Sequence, residues 1–201
     1  SRTMMLGELS LDGSLQPVKG ALPIAIKARE MGFEHLIVPR QNVREAAVVN
    51  RLKVYGASHI GEVVRFLNDE GGLMPTEIDT RAEFYAQQTE FDFDFADVKG
   101  QEHVKRALEV AAAGGHNVIM IGPPGSGKSM MAKRLPSILP PLSLAESLET
   151  TQIHSVAGKL ARESSLIARR PFRAPHHTIS QIALVGGGAN PQPGEVSLAH
   201  N

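Results

Sequence analysis

The chain has 201 residues with 21 basic and 21 acidic side chains, a balance that removes the whole-chain electrostatic footprint expected of a nucleic-acid binder. Its 42% hydrophobic content is enough to bury a core in one large domain or two small ones, and the absence of cysteine excludes a disulfide framework and thiolate metal sites, as suits a reducing cytosol. No apolar run approaches the roughly 20 residues needed to cross a bilayer, and SRTMMLGELSL lacks the regions of a signal peptide, so the chain reads as cytoplasmic with no membrane partner.

Short apolar runs alternate with amphipathic stretches over residues 1–68. Met4 to Leu11 reads as a strand ending at the turn Asp12-Gly13, and Ala21 to Met31 as a helix closed by Gly32. His35 to Val38 reads as a second strand. Asn42 with Glu45 has the spacing of a capping box for a helix running through Val49. Leu52 to Tyr55 is a third strand, followed by a helix from about Ser58 to Leu67. Strands alternating with helices imply βαβ units and a largely parallel sheet.

From Asn68 to about Thr89 the pattern fades into Gly-Gly, Pro75 and scattered acids, which reads as a linker between domains. Apolar and acidic residues alternate from Phe91 to Phe95, and a helix is expected from about His103 to Ala113. Asn117 to Ile121 is an apolar run of the kind that forms a buried strand. A helix then starts near Lys128 and stops near Pro136. Ser143 with Glu146 caps another, to about Ser155, and after Arg170 secondary-structure signals are weak.

Gly122-Pro123-Pro124-Gly125-Ser126-Gly127-Lys128-Ser129 fits the phosphate-loop pattern GxxxxGK[ST] at every fixed position. The glycines let the backbone bend so that successive N–H groups point at phosphate oxygens. Lys128 reaches the β and γ phosphates as the catalytic cation, and Ser129 ligates Mg²⁺. With Met130 next in the chain, residues 122–130 are the expected contacts for ATP. The following helix adds its positive N-terminal end.

Charge is unevenly spread. Nine carboxylates face one arginine from Asp69 to Asp97, whereas Lys159 to Arg173 holds five basic residues and one acid. The basic run reads first as solvated surface and second as a contact for phosphate backbone or a neighbouring subunit. His176-His177 are adjacent and so point to different sides of an extended chain, which argues against chelation. Gly186-Gly187-Gly188 lacks a following Lys-Ser/Thr and reads as a hairpin or loop tip.

FADVKGQEHVKRALEVAAAGGHNVIMIGPPGSGKSMMAKRLPSILPPL, with RPFRAPHHTISQIALVGGG and PGEVSLAH, resembles the start of the AAA+ module of the magnesium-chelatase-like ATPases. It resembles more closely their bacterial competence-protein branch, in which a Lon-protease-like domain precedes the ATPase; LGELSLDGSLQPVKGALPIAIKAREMGFEHLIVP is similar to the last half of such a domain. The resemblance implies an α/β chain whose P-loop NTPase (AAA+) parallel-sheet core follows a partial Lon-like α/β domain. The implied organisation is a partial Lon-like domain at 1–68, an acidic linker at 69–90, and at 91–201 the N-terminal part of an AAA+ module stopping before Walker B. It puts Val98 and Gly100-Gln101 near the adenine and His176-His177 in an insertion facing a pore or a neighbour.

Lon proteases carry the catalytic lysine two to four residues after the turn that here reads Pro17-Val-Lys-Gly-Ala-Leu-Pro-Ile24; those positions are apolar and Lys19 is out of register, so no peptidase activity is expected. Lacking Walker B, sensors and arginine finger, the piece is expected to hold ATP and Mg²⁺ weakly and hydrolyse ATP poorly. For the whole protein the resemblance implies a homo-oligomeric ring, a hexamer, doing helicase or branch-migration work on DNA during recombination of incoming strands. The alternatives are a metal-insertion motor of the magnesium-chelatase type and a regulatory ATPase that binds protein.

Overall fold

The computed structural model describes residues 2–88, 93–161 and 165–201. Its main sheet lies wholly in the N-terminal part. Strand β1 (Thr3–Met5) is followed by the hairpin of β2 (Glu8–Leu9) and β3 (Leu15–Gln16), helix α1 (Ala21–Glu30) and strand β4 (His35–Pro39). Helix α2 (Val43–Ala47), strand β5 (Lys53–Ala57), helix α3 (Ile60–Leu67), strand β6 (Pro75–Thr76) and helix α4 (Thr80–Gln87) follow. The strand order is β1-β4-β5-β6, the first three parallel and β6 antiparallel to β5.

The period of two along β4 and β5 sorts their side chains onto two faces. Leu36, Val38 and Val54 meet Leu22, Ala25 and Ala28 of α1, whereas Ile37, Tyr55 and Ala57 meet Val63 of α3. A sheet buried on both sides explains why these strands read as continuous apolar runs rather than as alternation. The run expected as one strand from Met4 to Leu11 is broken: β1 pairs with β4, the pairing stops before Gly7, and β2 pairs antiparallel with β3 across Asp12-Gly13.

Two further expectations are corrected here. Asn42 does not cap its helix; it lies in a 3₁₀ turn (Arg40–Asn42), makes no cap hydrogen bond, and turns its side chain to Val18 and Glu45. The span expected as a linker carries β6 and α4, and Phe84 of α4 is 2% exposed in the core that includes Leu22, Leu36 and Val54. The Phe84 ring, Ile78 packed on the same core, buried Thr80 bonded to the Val48 carbonyl and the Arg44–Glu83 pair together hold this acidic stretch to the fold. Of the alternating segment Phe91 to Phe95, Phe91 and Asp92 lie outside the described residues; Phe95 is buried, and Asp94 caps the 3₁₀ turn Phe95–Asp97.

The second half holds helices α5 (Glu102–Gly114), α6 (Lys128–Arg134), α7 (Leu144–Ala157), α8 (Gln181–Val185) and α9 (Glu195–Leu198), with a hairpin of β7 (Gly186–Gly187) and β8 (Gln192–Pro193). The hairpin matches the turn read from the triple glycine. Ser143 and Glu146 form the expected capping box on α7. Around α5 and α6 a small core gathers Phe95, Val98, Leu108 and Met131. Helix α7 packs instead on the first half: its Leu144 and Leu148, with Leu166 and Ala168 from the segment after it, join the sheet's core. Among the described residues no helix is long and apolar enough to cross a membrane.

The parallel sheet expected around the phosphate loop is absent among the described residues. Asn117 to Ile121 is unpaired, with Val118, Ile119 and Ile121 exposed at 45%, 83% and 90%. An apolar run becomes a buried strand only when neighbouring strands satisfy its backbone, and the described segments after α6 are helices, a short hairpin and coil.

Candidate functional site

The loop of residues 122–127 leads directly into α6, so the expected start of that helix at Lys128 is borne out. Gly125 and Gly127 have φ of 78° and 85°, in the left-handed region open to glycine at little cost. Gly122 is favoured for a different reason: a Cβ there would come 3.1 Å from Ser126 Oγ, a crowded contact. Pro123 and Pro124 stiffen the outer limb, and Ser126 N–H donates back to the Pro123 carbonyl at 3.3 Å.

Lys128 closes the loop. Its Nζ donates to the carbonyl oxygens of Gly122 (2.7 Å) and Pro123 (2.8 Å) and to Ser126 Oγ (3.2 Å). These partners carry no net charge, and an anion placed against the ammonium would add charge–charge attraction to the hydrogen bonds. Ser129 is exposed on the first turn of α6; Met130, beside it, lays its methyl against Gly127. Residues 122–130 thus form one open loop and helix start, exposed or half-buried throughout. The larger cavities lie elsewhere: one of about 540 Å³ is lined by Phe93, Lys133, Arg169 and Phe172, another of about 600 Å³ by residues around β5 and β6. A loop that works through a lysine and backbone N–H groups does not need an enclosed pocket.

The loop's mounting comes from α5 and the segment before it. Val98 is buried with Leu108 and Met131, so its side chain is core. Gln101, just ahead of α5, donates from Nε2 to the Ser126 carbonyl at 3.3 Å. The resemblance placed Gln101 near the adenine but gave it no contact with the loop; this bond spans 25 residues and depends on a left-handed backbone at Gln101, φ 56°. That conformation costs a non-glycine residue roughly 1 kcal/mol.

The basic run Lys159 to Arg173 is only partly a solvated face. Arg173 makes a bidentate pair with Glu195 at 2.5 and 2.6 Å, and this partner holds Glu195 below the ordinary carboxylate range. Arg170 donates to the Pro140 carbonyl at 2.7 Å and to the Asn201 carbonyl. These two arginines clamp the segment and the C-terminal residues onto α7, where buried His154 faces the Leu198 carbonyl at 3.0 Å and burial keeps its pKa below the usual value. His176 and His177 are exposed, their rings tilted by 36° with centroids 4.2 Å apart, and His176 Nδ1 lies 2.8 Å from Thr178 Oγ1.

The family model described as magnesium chelatase, subunit ChlI, matches residues 94–201, and one described as subunit ChlI of Mg-chelatase matches residues 1–42. The chain is 48% identical to an uncharacterized protein, Rv2897c, of Mycobacterium tuberculosis, over 98% of this chain and 39% of that protein. It is 43% identical to the competence protein ComM of Haemophilus influenzae, over 98% of this chain and 38% of ComM. It is also 43% identical over 51 residues to the archaeal Lon protease of Archaeoglobus fulgidus, which is 25% of this chain and 8% of that protein. The chain thus spans less than half the length of the bacterial relatives it matches throughout.

Proposed function

The chain belongs to the magnesium chelatase subunit ChlI family, and from that footing we propose that it is the ATP-binding part of an AAA+ ring motor. The observation that carries this reading is the Lys128 ammonium drawn into the bend of its own loop by Gly122, Pro123 and Ser126. Such a loop offers a cation and a run of backbone N–H groups at one place, and the triphosphate of ATP is the complementary ligand. The residues fit it: Gly125 has open space where a Cβ would be, and Gly122 avoids crowding Ser126 Oγ.

Lys128 would hold the β and γ phosphates and stabilise charge there, with Gly122, Pro123, Pro124, Gly125, Ser126, Gly127 and Met130 shaping the cradle. Ser129 would hold Mg²⁺, which neutralises phosphate charge when bound. Residues 1–68 are read as part of a Lon-like domain without peptidase activity. The short likeness to the archaeal Lon protease supports the first half of that reading. Lys19 supports the second: it is exposed on its turn, its stem laid along Gly158.

For the whole protein, likeness to a competence protein supports work on DNA, as helicase or branch-migration ATPase in recombination of incoming strands, by a homo-oligomeric hexameric ring. ATP turnover by the full-length polypeptide should rise with branched DNA and be accompanied by strand separation. Turnover indifferent to DNA, with no unwinding, would count against the motor. The family description favours a second reading, a motor for inserting Mg²⁺ into a porphyrin. ATP-dependent insertion in the presence of chelatase partner subunits would select it.

A further inference from the structure

Gln101 occupies the position that begins α5, yet its side chain does not cap that helix. Its backbone carbonyl accepts from the N–H groups of Val104 and Lys105, both at 3.0 Å, so the residue is fixed at the helix start. The side chain turns to the phosphate loop and donates to the Ser126 carbonyl; a Cβ built on Gly127 would lie 3.7 Å from the same Nε2. Gln101 is exposed and adopts a left-handed conformation that non-glycine residues rarely take. An exposed residue with a left-handed backbone, whose side chain neither caps its helix nor enters the core, contributes little to folding. Its location against the last turn before Lys128 supplies a different reason for it.

The peptide between Ser126 and Gly127 is planar and trans, so its C=O and N–H point in opposite directions. Holding the Ser126 carbonyl toward Gln101 directs the Gly127 N–H away from Gln101. We propose that Gln101 is a positioning residue that fixes this peptide plane so that the Gly127 N–H is presented to a phosphate. The inference rests on the reading of residues 122–129 as a nucleotide site, and adds to it a residue outside the loop motif.

The test uses the full 201-residue chain and a fluorescent ATP analogue with Mg²⁺, for the native sequence and for Gln101→Leu, Gln101→Gly and Lys128→Ala. Hydrogen exchange of the amides across residues 122–131, measured without nucleotide, gives a second readout that needs no ligand. Gln101→Leu removes the donor at similar size; Gln101→Gly removes the donor and also the backbone strain. Both should weaken analogue binding about five- to tenfold and speed loop exchange, while Gln101→Gly melts no lower than the native chain. Native affinity and native exchange in Gln101→Gly, with binding lost in Lys128→Ala, would overturn this inference alone. Native affinity in Lys128→Ala would overturn the nucleotide reading and this inference with it.

Discussion

Asn42 and Val18 are joined twice: the Val18 N–H donates to Asn42 Oδ1 at 3.0 Å, and Asn42 Nδ2 donates to the Val18 carbonyl at 2.8 Å. The same amide donates to Glu45 Oε1 at 2.7 Å, so one buried side chain ties the Pro17 to Gly20 turn to the start of α2. Asn42→Ala leaves both Val18 groups and the Glu45 carboxyl without these partners. Its expected cost is about 2–3 kcal/mol, read from urea unfolding. A change under about 0.5 kcal/mol would mean that the turn is held by other contacts.

Glu45 brings a pH dependence. Burial raises its pKa above the ordinary 4.5, and the Asn42 amide only partly offsets that. The folded chain therefore holds this proton more firmly than the unfolded chain. The resulting stability is complete below the ordinary value and is lost as pH rises from there through the raised one. Glu45→Gln keeps an acceptor for Asn42 and cannot ionise. Its stability relative to the native chain should improve from about pH 4 upward and then level off. A difference that stays flat across that range would contradict the burial argument.

Phe84→Ala should destabilise the first half of the chain by about 3–5 kcal/mol, because the ring is enclosed by α1, β4 and β5 residues. Thermal or urea unfolding followed by circular dichroism measures it. A near-neutral result would return residues 69–90 to the status of a bare linker.

How much was legible depends on how local the deciding contact is. Ser143 and Glu146 were readable because both halves of a capping box lie within one turn. Asn42 and Glu45 show the same spacing, but a partner 24 residues away, Val18, takes the asparagine, and no local pattern reveals that competition. The phosphate loop was readable from its own residues, whereas Gln101 enters the site through a bond across 25 residues. Asn117 to Ile121 has the composition of a buried strand, yet burial is decided by partner strands rather than by the run itself. Phe84 was missed for the opposite reason: acids and paired glycines nearby masked a short helix that Asp79 caps.

The exposure of the run before the loop can be checked directly. Ile119→Lys should change unfolding free energy by less than about 0.5 kcal/mol and reduce association at high protein concentration, since it removes an exposed apolar side chain from an unpaired extended segment. A loss above about 2 kcal/mol would show that Ile119 is buried in this chain.

The most direct test of the nucleotide reading is calorimetric titration of the 201-residue chain with ATP and Mg²⁺, beside Lys128→Ala. The native chain is expected to bind, and Lys128→Ala to lose at least about tenfold in affinity while unfolding at the same temperature. Equal affinity in the two proteins would contradict the assignment of residues 122–129 as a triphosphate cradle.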